Sequence, residues 1–186
     1  GDLTSVTDPN GQTVSYTYDI FDRVSEEKWG DTLKYQYFYN AEGDLAKKLD
    51  VTTGKTVNYE YDSLGRLIHS YQTDNGTIQQ HTEHLCDTEN RLVSQSWTSG
   101  STNHVMDFVY DNTGKPYALN YDGTTYYYVL NLQGDVISII THWGESYGSY
   151  TYDAWGNLLA VSGDIAYLNP IRYRGYYYDS ETGLYY

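Results

Sequence analysis

The sequence predicts an all-β fold, an antiparallel meander of β-hairpins chained end to end, and three observations carry that reading. The first is a repeat. Its clearest copy is Tyr61-Asp62-Ser63-Leu64-Gly65-Arg66-Leu67, and related heptads start at Tyr18, Tyr39, Cys86, Tyr110, Leu130 and Tyr152. The Asp or Asn of the unit falls at Asp19, Asn40, Asp62, Asp87, Asp111, Asn131 and Asp153, a spacing of 20 to 25 residues. A period in this range signals a repeat architecture. The second is alternation of apolar residues before each Asp or Asn. The third is the residue three positions later, which is Asp22, Gly43, Gly65, Asn90, Gly114, Gly134 and Gly156. Only Gly, Asn and Asp occupy this slot, and these types tolerate positive φ best.

Each element follows from that unit. The incoming strands read Val14, Tyr16, Tyr18; Leu33, Tyr35, Tyr37, Tyr39; Val57, Tyr59, Tyr61; Met106, Phe108, Tyr110; and Tyr126, Tyr128, Leu130. Period-2 alternation sets each group on one face of a pleated strand, where aromatic and β-branched residues fit well. The Asp or Asn opens a turn by bonding backbone N–H groups two residues on. Outgoing strands then start at Val24, Leu45, Leu67, Leu92, Val136 and Leu158. A second set of turn signals lies halfway between: Asp8-Pro9-Asn10-Gly11, Gly30-Asp31, Thr53-Gly54, Asn75-Gly76, Gly100-Ser101, Asp122-Gly123, Gly144-Glu145 and Ser162-Gly163-Asp164. The chain thus turns twice per repeat, with strands of about 5–8 residues between. No long segment carries helical periodicity, and no capping helix is expected.

Composition narrows the function. Apolar residues make up only 39 %, and 24 tyrosines supply much of the missing surface. A tyrosine ring buries apolar area yet carries a hydroxyl that needs a partner, so a ladder of aromatic rungs is expected to hold the sheet. The rungs are Tyr16, Tyr18, Tyr37, Tyr39, Tyr59, Tyr61, Phe108, Tyr110, Tyr128, Tyr150, Tyr152, Tyr176 and Tyr178. A net charge of −14 disfavours binding a nucleic-acid backbone. No apolar run approaches bilayer length, so no membrane insertion is expected. A single cysteine excludes an internal disulfide framework, and near-absence of Cys is compatible with an exported bacterial protein.

The heptad is similar to the YD repeat of Rhs and wall-associated bacterial proteins, toxin-complex C subunits and teneurin shells. That likeness covers about 8–160, and the YD-repeat array is expected over 1–160. The stretch 161–186, with Asn169-Pro170-Ile171-Arg172-Tyr173-Arg174-Gly175-Tyr176-Tyr177-Tyr178-Asp179-Ser180-Glu181-Thr182-Gly183-Leu184-Tyr185-Tyr186, resembles the start of the Rhs-associated core segment. The resemblance implies a curved β-strip that spirals into a hollow cage around a C-terminal toxin or effector of the same full-length protein. It implies a bacterial protein that is secreted, at the cell surface or loaded into a secretion apparatus. Family members cleave themselves with aspartates expected beyond Tyr186, so no catalytic residue is carried over and no enzymatic activity or cofactor is expected. Open sheet edges make self-association a further expectation.

Other clusters have plainer explanations. His81, His84 and Cys86 bring soft ligands close together, but His84 and Cys86 fill the slots of Tyr59 and Tyr61, and a second ligand pair of a zinc site is missing. The turn aspartates lack the dense spacing of a calcium loop. Trp29, Trp97, Trp143 and Trp155 offer a platform for glycans or cell-wall polysaccharide, which sets a cell-surface carbohydrate- or protein-binding adhesion module beside the cage segment. Thr52-Thr53-Gly54-Lys55 is too short for a phosphate loop. Arg172 and Arg174, alternating on one strand face, are expected to pair with Asp179 and Glu181.

Overall fold

A computed structural model describes residues 3–7, 11–153, 155–179, 184 and 185. The turn at Asp8-Pro9-Asn10, the segment 180–183 with Glu181, and Tyr186 lie outside them. The chain divides into two compact units, residues 1–83 and 84–186.

The first unit is a meander of β1 (Ser5–Thr7), β2 (Thr13–Tyr18), β3 (Val24–Trp29), β4 (Thr32–Tyr39), β5 (Leu45–Asp50), β6 (Thr56–Tyr61), β7 (Leu67–Asp74) and the first residues of β8 (Thr77–Cys86). The second holds the end of β8, then β9 (Leu92–Ser99), β10 (Thr102–Tyr110), β11 (Pro116–Tyr121), β12 (Thr124–Leu130), β13 (Val136–Ile140), β14 (Ser146–Tyr152) and β15 (Leu158–Ser162). Strand order in the sheet is the order along the chain, β1 to β15, and the pairing is antiparallel throughout. The all-β meander read from the sequence is therefore the fold, and outgoing strands begin at Val24, Leu45, Leu67, Leu92, Val136 and Leu158.

The same irregularity closes the hairpins. Tyr18 pairs with Val24, Tyr39 with Leu45, Tyr61 with Leu67, Tyr110 with Pro116, Leu130 with Val136 and Tyr152 with Leu158, each time with a register shift just before that rung. A tight turn ending in one left-handed residue, followed by a one-residue bulge, is the standard route to a hairpin of this loop length.

The C-terminal stretch departs from expectation. Gly163 does not turn into another strand. It precedes a single helical turn, α1 (Asp164–Leu168), and a 3-10 turn follows at Tyr173–Gly175 before the short pair β16 (Tyr178–Asp179) and β17 (Leu184–Tyr185). The physical reason lies in what this segment covers. Ile165, Ala166 and Ile171 join Leu92, Met106, Phe108, Leu119, Tyr126, Val136, Ile139 and Tyr150 in one apolar cluster, so the segment is the second layer over the sheet of its unit. Gly148 permits the approach, since a Cβ there would lie 2.8 Å from that of Ala166.

Candidate functional site

The recurring feature with defined chemistry is the turn. At Asp62, Oδ1 accepts the Leu64 N–H at 2.9 Å and the Arg66 N–H at 3.0 Å, while Oδ2 takes Arg66 Nε at 2.7 Å and a terminal guanidinium nitrogen at 2.6 Å. The backbone closes the ring: Asp62 N–H donates to the Arg66 carbonyl at 2.9 Å, and Gly65 N–H to the Asp62 carbonyl at 3.0 Å. Asp19 with Phe21 and Arg23, and Asp87 with Glu89 and Arg91, repeat this arrangement. Asp111 accepts from Thr113 and Lys115, and Asp153 from Trp155 and Asn157. The residues three positions on all lie at positive φ: Asp22 59°, Gly43 100°, Gly65 75°, Asn90 64°, Gly114 82°, Gly134 91° and Gly156 92°.

The residue four positions after the Asp is the partner that sequence reasoning left without a role. Where the first residue is Asp, the partner's side chain is a donor at Arg23, Arg66, Arg91 and Asn157, while Lys115 reaches Asp111 through its backbone N–H. Where it is an amide, the partner is a carboxylate: Asn40 Nδ2 donates to Asp44 at 3.2 Å, and Asn131 Nδ2 to Asp135 at 2.6 Å. This swap of donor and acceptor is visible in the sequence once the two positions are read together. Electrostatics follow. The Arg23 side chain holds the Asp19 carboxyl below the usual carboxylate range. The Arg66 backbone N–H and guanidinium do so for Asp62, the Thr113 hydroxyl for Asp111 and the Asn157 amide for Asp153.

The tyrosine before the turn reaches the previous repeat. Tyr18 Oη donates to the carbonyl of Leu3 at 2.7 Å, Tyr39 to Val24 at 2.8 Å, Tyr61 to Leu45 at 2.9 Å, Tyr110 to Leu92 at 2.8 Å and Tyr152 to Val136 at 3.0 Å. Apart from Leu3, each acceptor is the first residue of an outgoing strand. The turn arginine completes the stitch, because Arg23 lies 4.3 Å over the ring of Tyr39 and Arg91 5.1 Å over Tyr110. The chemistry of the arrangement is cohesion: the carboxylates of Asp19, Asp62, Asp87, Asp111 and Asp153 accept hydrogen bonds within their own turns.

The remaining rungs take several roles. Tyr37 donates to Glu27 at 2.7 Å, and Tyr59, Phe108 and Tyr150 are buried. Tyr16 is half-buried on β2. Tyr128 and Tyr150 meet on the buried side chain of Asn169, at 2.7 and 3.0 Å. Tyr176 and Tyr178 lie outside the meander, and Tyr178 packs under Arg172 at 4.3 Å.

The expected alternation of the two arginines on one face needs correction. Residues 173–175 form a 3-10 turn, with Arg174 at φ 51°, so Arg172 and Arg174 do not alternate on a strand face. Arg172 is buried and donates to the carbonyl of Asn169 at 3.1 Å, and the backbone N–H of Arg174 donates to Asp135 at 3.0 Å. His81 and His84, three apart on one strand, face opposite sides. Buried His84 meets Gln95 at 3.0 Å, while His81 meets His69. Trp143 and Trp155 are exposed, whereas Trp97 stacks with Tyr121 and His104. No helix among the described residues is long and apolar enough to cross a membrane.

Comparison with known proteins agrees with the geometry. The family profile described as teneurin YD-shell matches residues 34–186, and that of the RHS repeat matches 1–28. The tRNA3(Ser)-specific nuclease WapA of Bacillus spizizenii is 30 % identical over 99 % of this chain, and so is the tRNA nuclease WapA of Bacillus subtilis. The chain spans about 8 % of the length of either relative. A crystal structure of TcdB2-TccC3 shares the fold, with a TM-score of 0.62 at 15 % identity over 94 % of this chain and 12 % of that one. With more than half its length matched by the shell profile, this chain belongs to the teneurin YD-shell family, with an RHS repeat at its start.

Proposed function

We propose that this chain is a wall segment of a hollow YD-repeat cage in a larger, exported bacterial toxin-type protein, where the wall encloses or presents an effector carried C-terminal to it. In this reading residues 1–160 are the repeat array and 161–186 open the Rhs-associated core segment. The observation that carries it is the tether from tyrosine to the preceding repeat, present at five positions. Such a device serves a continuous wall and leaves chemistry on substrates to other domains. The small share of the WapA nucleases that this chain matches supports the same division of labour.

The test uses the full-length protein that contains this chain. Under limited proteolysis the effector stays intact while the wall is folded, and is digested once mild denaturant opens it. Digestion of the effector at the rate of its free form, with the wall intact, overturns enclosure. A second reading, a surface for glycans, draws on the exposed rings of Trp143 and Trp155. A glycan array distinguishes it: binding abolished by Trp143→Ala and Trp155→Ala favours adhesion, and no retention removes it.

A further inference from the structure

Among the described residues, one group of side chains outside the repeat turns brings metal-binding atoms together: His69 on β7, with His81 and Glu83 on β8. The register sets Glu83 opposite His69 and His81 opposite Tyr71. Residues two apart on a strand share a face, so both imidazoles and the carboxylate stand on one side of the sheet. His81 Nε2 lies 3.0 Å from His69 Nδ1, and one ligand atom from each of the three residues falls within 4.8 Å of the others.

The two rings are hydrogen-bonded to each other, one nitrogen donating and the other accepting. The same nitrogens bound to one zinc ion at ~2.0–2.1 Å stand about 3.3 Å apart in a tetrahedron. A shift of a few tenths of an ångström therefore converts the hydrogen-bonded pair into a chelating pair. Tyr71 stacks on His81 at 4.5 Å and 11°, which fixes the plane of that ring. Tyr71 also lies 3.3 Å from Glu60, which sits opposite His69 on β6 and adds negative charge to the same face.

We propose that His69 Nδ1, His81 Nε2 and the Glu83 carboxylate form a site for a borderline divalent transition-metal ion such as Zn²⁺, with water at the fourth position, clamping β7 to β8. Two imidazoles and one carboxylate suit zinc, nickel or copper rather than magnesium or calcium, which take oxygen ligands. An ion held by both strands binds the folded hairpin and not the unfolded chain, so it stabilises the first unit by mass action.

Titration of the whole chain, free of any purification tag, tests this with Zn²⁺ by calorimetry and with Co²⁺ by visible absorption. The expected result is one ion per chain, a tetrahedral cobalt spectrum, a raised melting temperature, and loss of binding at acid pH because the ligands must be deprotonated. His81→Gln weakens binding by about tenfold or more, as does Glu83→Gln at its exposed position. His142→Gln, at an exposed turn of the other unit, leaves binding unchanged. No binding at millimolar Zn²⁺, or equal affinity in the Glu83→Gln and His142→Gln proteins, overturns the site. Should His81→Gln fail to fold, the Glu83→Gln comparison decides alone.

Discussion

The two units carry the same turn and the same tether, yet only one has a core. In residues 1–83 the turns at Asp19, Asn40 and Asp62 and the tethers of Tyr18, Tyr39 and Tyr61 are complete. Among the described residues of that unit, only Tyr59 and Lys48 are buried. Even Lys48 is packed by aromatic faces, with Nζ 4.0 Å from the centre of the Tyr35 ring. In residues 84–186 the same turn chemistry recurs at Asp87, Asp111, Asn131 and Asp153, and a second layer covers the sheet, where Met106, Val136 and Ile139 are fully buried. The repeat therefore sets hairpin geometry and register. Apolar burial comes from a segment that is not a repeat, the stretch from Gly163 to Asp179. The first unit depends on cross-strand polar and cation–π contacts, each small, and the second on a packed interior.

The sharpest way to break this contrast is truncation in each unit. Ile139→Ala removes a fully buried side chain and is expected to cost about 2–5 kcal/mol. Leu49→Ala, on half-buried β5, is expected to cost about 1 kcal/mol. Urea denaturation read by hydrogen exchange in peptides of each unit measures both. Equal costs would show that the first unit has a core of its own.

How much of this was legible in the sequence depends on the range of the contacts involved. The turns were, because Asp62, Gly65 and Leu67 act within six residues and their types are restricted by φ and by short hydrogen bonds. The role of Arg66 was open to view but requires pairing two columns of the repeat, as the swap at Asn40 and Asp44 shows. The second layer was not. Asn169 bonds Tyr128 across 41 residues, and nothing near Asn169 announces that partner. The hydroxyl partners of the tyrosine rungs were hidden for a similar reason, since they are carbonyls 15 to 18 residues back. His69 and His81 likewise meet only through the register of β7 and β8.

Glycine substitution sharpens the comparison at identical turn positions. Gly65 and Gly156 both lie at positive φ. A Cβ on Gly65 meets nothing within 4 Å, while one on Gly156 would sit 2.6 Å from the Tyr173 ring. Gly156→Ala is therefore expected to cost about 2–4 kcal/mol, from strain plus overpacking. Gly65→Val carries strain alone, about 1–2 kcal/mol. Thermal melts of the two variants check the ratio, and an unchanged melt for Gly65→Val removes the strain assignment.

Alkaline titration probes the same cap. Burial pushes the Tyr150 hydroxyl up to about 12 and Tyr128 well above its ordinary value. A raised folded pKa means the contribution is full below the unfolded value near ~10 and is lost as pH rises through the folded one. Both hydroxyls meet on Asn169, so ionisation dismantles one shared node, a loss on the order of 2–3 kcal/mol for Tyr150 between pH ~10 and ~12. In the first unit burial and the Glu27 carboxylate raise Tyr37 with the same sign, but its ionisation breaks a single bond. Hydrogen exchange against pH is expected to open residues 163–172 earlier than β4. Simultaneous opening would show that the cap has no special dependence on its tyrosines.

The smallest effect isolates the tether itself. Tyr61→Phe and Tyr152→Phe each delete one hydroxyl and leave the ring in place. The carbonyl released in the first case belongs to half-buried Leu45, and in the second to fully buried Val136. A net hydrogen bond contributes about 0.5–1.5 kcal/mol, and an acceptor left dry costs toward the upper end or beyond. Tyr152→Phe is thus expected to exceed Tyr61→Phe by a few tenths to 1 kcal/mol, measured by urea midpoints at unchanged slope. Should Tyr61→Phe prove the costlier, the tether would matter most where the sheet has least else to hold it, and the first unit would owe its order to the stitch alone.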